Sequence, residues 1–161
     1  MLSAPNFSAV AVGKPIPEKI ILMKPSQSIS KGEIINRKNN TEHWIVTSTD
    51  KQYDFANKGK IRYMNHMLKW LNSEGAEIQE YCILENWVKY DSGIREDKNM
   101  RLGEGSYQIT FQDNINTQEL RRDKRFVWDG LAYRITNIDR TTLDGLCSVT
   151  VVEHQLNNKY D

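Results

Sequence analysis

Histidine and cysteine are scarce in this chain, which has three of the first and two of the second. His43, His66 and His154 show no HxH or HExxH spacing, and Cys82 and Cys147 form no CxxC, so no zinc site is built from sequence neighbours. A phosphate-cradling glycine loop is also missing: Gly103-Glu104-Gly105 lacks the third glycine and the helix that would aim amides at an anion. Ser148 and His154 share one run without a nucleophile elbow, and the paired carboxylates Glu96-Asp97 sit among hydrophilic neighbours. Charge of one sign does not dominate either. Twenty-two Lys and Arg face 21 Asp and Glu, whereas a protein living on phosphate contacts is visibly basic, so any nucleic-acid contact must be local. No apolar run is long enough to span a bilayer, and the first residues carry no signal-peptide pattern. These absences set the expectation of a non-enzymatic chain with no catalytic residue, no metal, no cofactor and no membrane partner.

Proline is confined to one end. Pro5, Pro15, Pro17 and Pro25 are all four in the chain, and they mark residues 1–30 as an extended arm with short strands near residues 8–12 and 19–23. Phe7, Ile20, Ile21 and Leu22 are too apolar to stay in water, which makes the arm a candidate for contact between subunits. Downstream, residues 31–157 read as a β domain of thin core, since 39% of the chain is hydrophobic. Two sub-units, 31–86 and 106–157, are expected, joined by a charged, glycine-bearing surface segment over residues 87–105.

The strand signals alternate. Residues 33–37 and 43–49 read as strands, residues 50–60 as a long polar loop carrying Lys51, Lys58 and Lys60, and residues 77–85 and 106–112 as further strands. Residues 61–71 fit a helical face and a strand alike; the turn Asn72-Ser73-Glu74-Gly75 that follows favours the strand. Asn116 followed by Glu119 resembles a helix start, giving one or two turns over residues 117–122. Residues 122–139 hold the clearest signal, with Asp129-Gly130 between alternating runs, a hairpin turn needing positive φ. A last strand covers residues 146–153. Trp44-x-Val46-Thr47-x-x-Asp50 is repeated as Tyr133-x-Ile135-Thr136-x-x-Asp139, which points to related meanders in a small β-barrel or SH3-like arrangement with at most short helices. Cys82 and Cys147 lie in apolar strand-like runs and read as small buried hydrophobes.

One charge cluster has direction. Arg121, Arg122, Lys124 and Arg125 crowd the start of the hairpin. They suit either a helix C-terminus, where cations complement the dipole, or an acidic partner or passing DNA. The same residues, with Lys51, Lys58 and Lys60, are the candidate interface or DNA-proximal positions.

Three segments carry a resemblance: KGEIINRKNNTEHWIVTSTD, MLKWLNSEGAEIQEYCILEN and RRDKRFVWDGLAYRITNIDRTT, the last leading to a Val-Thr-Val-Val-Glu strand. In this order, over about residues 31–154, they resemble neck proteins of tailed phages and prophages of Gram-positive bacteria, in the head-tail connector and head-closure (stopper) group. That resemblance implies a virion protein assembled in the bacterial host cytoplasm. It would form a homo-oligomeric ring, six- or twelve-fold, meet portal or adaptor and tail proteins, and help retain packaged genomic DNA. A tail or baseplate adaptor, or a tandem SH3- or OB-like nucleic-acid module, is the alternative.

Overall fold

The computed structural model describes residues 16–24, 26–37, 41–52, 56–86 and 106–154. Within them the chain is mainly β, with ten strands and one short helix. Four strands form the first sheet: β1 (Glu18–Met23), β2 (Ile34–Arg37), β3 (Glu42–Gln52) and β4 (Ala56–Tyr63), in the order β1-β4-β3-β2. Six form the second: β5 (His66–Leu71), β6 (Glu77–Asn86), β7 (Ser106–Gln112), β8 (Arg125–Trp128), β9 (Leu131–Asp139) and β10 (Leu146–Glu153), in the order β5-β6-β7-β10-β9-β8. The ends of the second sheet curl together, and the Lys124 Nζ donates to the Leu71 carbonyl at 2.8 Å across the β5–β8 seam, so the sheet is a nearly closed barrel.

Side-chain alternation fills that barrel. Tyr107, Ile109 and Phe111 point inward from β7, and Val149 and Val151 from β10. Trp70 meets Phe111 and Phe126 edge-on at 5.8 and 5.7 Å, geometry that the aromatic quadrupoles favour. Asp129 and Gly130 take φ of 51° and 75°, the doubly left-handed turn expected of the β8–β9 hairpin. Between β7 and β8 lies α1 (Ile115–Gln118). Its N-cap is Asn114 rather than Asn116: the Asn114 carboxamide accepts from the Asn116 and Thr117 amides, and Thr117 reciprocates on the Asn114 amide. The helix therefore starts earlier than the Asn116–Glu119 spacing implies.

Two further expectations are corrected. Residues 50–60 are not a long loop: β3 and β4 run on as a hairpin, with Asp50 opposite Lys58 and Thr49 opposite Gly59. Polar residues on both faces hide a strand from a hydrophobicity pattern. Residues 61–71 are neither one strand nor a helix. Met64 and Asn65 interrupt them, and the chain passes there from the first sheet to the second. The Asn65 carboxamide acts as a substitute rung, donating to the Leu84 carbonyl at 3.0 Å and accepting from the Leu84 amide at 2.8 Å. The short strand expected at residues 19–23 is β1, paired with β4 along its length. Residues 8–12, 87–105 and 157–161 lie outside the described residues.

The sheets share a small apolar interface of Ile45, Met64, Ile83 and Leu146. Ile83 faces this interface while Ile78, Cys82 and Leu84 face the barrel interior, so β6 serves two cores. A bidentate Arg62–Glu85 pair at 3.1 and 2.6 Å joins β4 to β6, and the His43 ring stacks on Tyr81 at 3.7 Å.

Candidate interaction surface

The basic corner is built by the turn after α1. The Arg121 guanidinium donates to the Gln118 carbonyl and, at 2.9 Å, to that of Leu120. Arg140 reaches the same helix end from beyond β9, donating to the Thr117 carbonyl at 2.7 Å. Arg121 thus meets carbonyls at the helix C-terminus, while Arg140 adds a second donor to the Thr117 carbonyl, which already accepts from the Leu120 amide at 3.1 Å. Asp123, at φ 68°, faces Arg134 at 3.7 Å, and the Arg125 guanidinium lies 3.4 Å from His154 Nε2. Arg122 alone of the four basic residues has no partner among the described residues. The corner is thus largely committed to holding α1 and the barrel seam.

Lys58 and Lys60 lie elsewhere, on β4 of the first sheet. Lys60 pairs with Glu18 of β1 at 3.4 Å, an exposed pair of small energetic weight. Lys51 is in β3 opposite Asn57. The seven basic candidates therefore do not converge: four border the barrel and three the β3–β4 hairpin. Among the described residues no three His, Cys, Asp or Glu gather as a metal cluster, and no helix is long and apolar enough to cross a membrane.

The burial shifts are likewise structural. Burial pushes the Cys82 thiol far up and the Cys147 thiol up to about 11, with Arg140 drawing the latter back; both cysteines are free. Burial, then neighbouring Tyr107, raises Tyr133 to about 12, where its ring stacks on Trp128 at 3.4 Å. A polar hollow of about 290 Å³ lies where the sheets meet, between His43, Tyr63, His66 and Tyr81.

The apolar surface lies on the first sheet. Ile21 and Met23 of β1, Ile29, Ile35 of β2 and Ile61 of β4 line an open trough of about 550 Å³ on the face turned from the barrel. Lys19 lies over the Trp44 ring on this face, 4.4 Å from its centroid. Alternation puts Ile20 and Leu22 on the other face of β1, where they remain 55% and 72% exposed. Ile20, Ile21 and Leu22 are thus on one strand but not one face; Phe7 lies outside the described residues. Sequence pattern missed Arg62, Glu85, His43 and Tyr81, whose pairing depends on which sheet each strand joins. Asn65, polar between two apolar runs, was the available signal for the break.

Together these features define a β-barrel module joined to a second, four-stranded sheet. A family model, that of the YomX C-terminal domain, matches residues 66–151, just over half the chain, and the chain belongs to this family. The family is associated with phages and prophages. The match begins at the first residue of β5 and ends within β10, so it covers the barrel and leaves out the four-stranded sheet. No curated protein and no solved structure matches.

Proposed function

We propose that this chain is a non-enzymatic virion protein of a tailed phage, forming a six- or twelve-fold ring in the neck. There it joins the portal and head to the tail and helps retain packaged DNA. The observation that carries this reading is the phage-associated family of the barrel. Support comes from a net charge of +1, which lets DNA pass without adhering. The spent basic corner argues against a tandem nucleic-acid module, since Arg121 and Lys124 are turned onto backbone carbonyls.

Negative-stain imaging of the purified chain with the portal of the same phage tests this proposal. A ring seated beneath the portal is the expected image. A chain that ignores portal and tail proteins but binds oligonucleotides with a steep salt slope would overturn it.

A further inference from the structure

β1 is an edge strand: among the described residues nothing pairs with its outer side. The Tyr63 amide donates to the Pro17 carbonyl at 3.0 Å, which fixes the pattern of the whole strand in the register Glu18 opposite Arg62. Odd-numbered residues turn their backbone groups to β4, and Glu18, Ile20 and Leu22 turn theirs outward. Soluble proteins usually blunt such an edge with central charges, bulges or proline. Here the centre is Ile20, Ile21 and Leu22, and Lys19 is drawn over Trp44 on the other face.

We propose that this edge pairs with β1 of a second copy, antiparallel across a two-fold axis at Ile21. Ile20 then lies opposite the partner's Leu22, Ile21 opposite the partner's Ile21, and Glu18 opposite the partner's Lys24. The register joins outward-facing residues only with outward-facing residues, so Ile20 and Leu22 exchange four backbone hydrogen bonds with their counterparts. It covers the two exposed apolar side chains and ends at both sides in opposite charges, adding a cation to a Glu18 that already faces Lys60. Sliding the strands by two residues either way sets Glu18 against leucine or Lys24 against isoleucine. Charge thus selects one register and one occupant, and two four-stranded sheets become one of eight strands. This contact is separate from the ring proposal: a two-fold contact closes on itself, so it belongs to the unassembled chain and is not one of the head-to-tail contacts that close a polar ring.

The test is sedimentation of the full chain over a range of concentrations, with cross-linking to fix the register. Wild type should dimerise, and Leu22→Glu, at an exposed position, should remain folded and monomeric. Lys24→Glu should weaken association about tenfold, because symmetry repeats the reversal twice, and Glu18→Lys in the same chain should restore it. Ile21→Cys should form a disulfide dimer under mild oxidation, since directly opposed residues fall within bridging distance, whereas Ile20→Cys should not. Buried Cys82 and Cys147 do not compete. A wild type that stays monomeric, a Leu22→Glu chain that associates like wild type, or linkage at position 20 instead of 21 would each overturn the proposal. So would dimerisation that appears only after residues 1–15 are removed, because the chain would then cover its own edge.

Discussion

Gly32 and Gly145 meet backbone to backbone where the two sheets join. A Cβ on Gly32 would come within 2.6 Å of the Gly145 carbonyl carbon, and one on Gly145 within 2.8 Å of the Lys31 carbonyl carbon. Both have positive φ, 81° and 73°. The Gly32 amide donates to the Val46 carbonyl at 2.8 Å and the Gly145 carbonyl accepts from the Asp113 amide at 2.9 Å, so neither turn can retreat without losing a bond.

Alanine at either glycine should therefore cost about 2–4 kcal/mol, combining left-handed strain with overpacking. Gly75 and Gly130 provide the contrast: their φ values are also positive, but a Cβ there meets open space. Their alanine variants should lose only about 1–2 kcal/mol, the strain alone. Urea denaturation of the four variants checks this, and equal losses at all four would show that the close approach is unimportant.

Arg62 and Glu85 span the sheets with two hydrogen bonds and are each about one-quarter to one-third exposed. The fork geometry is what lysine cannot copy. A double-mutant cycle with Arg62→Lys and Glu85→Gln should give a coupling of about 1 kcal/mol, reduced by salt. Strict additivity would mean that the pair is incidental to docking.

Asp139 ends β9 and is held below the ordinary aspartate value of 3.8, at about 2, chiefly by Thr142 and then by the Thr141 amide. A folded-state value depressed in this way stabilises the protein above 3.8, and that contribution disappears as pH falls towards 2. Asp139→Asn should flatten this part of the acid denaturation curve. A variant with the wild-type acid slope would refute the assignment.

Cys82 and Cys147 should be silent to a thiol reagent at mildly alkaline pH, because burial keeps both protonated and unreachable. Labelling should follow global unfolding and accelerate in denaturant. Rapid modification of the native chain would show that the barrel opens locally near β6 or β10.

Local chemistry made some of this architecture readable. Asp129-Gly130 announced its hairpin because few residues accept two left-handed conformations in succession. The repeated Trp44 and Tyr133 motifs also have a structural counterpart. Thr47 and Thr136 are each the extra residue where the strand register shifts, after Val46 in β3 and opposite the Thr150–Val151 step in β9. Each hydroxyl donates to a carbonyl of the adjoining strand, Thr47 to Lys60 at 3.4 Å and Thr136 to Thr150 at 3.2 Å. What stayed hidden was long-range or two-sidedly polar. The distal β3–β4 hairpin pairs Asp50 with Lys58, giving no apolar period, and the passage at Met64–Asn65 contains neither glycine nor proline. The basic corner was visible as charge, but its use on carbonyls of α1 and β5 depends on the closed barrel.

The passage between the sheets at Met64–Asn65 bears on how such a chain can vary. Among the described residues, all strands before Met64 lie in one sheet and all strands after Asn65 in the other. A different upstream module could be spliced at this point without rewiring the barrel, provided that it shelters Ile83 and Leu146. Those two side chains are the apolar seat on which any such module would have to close.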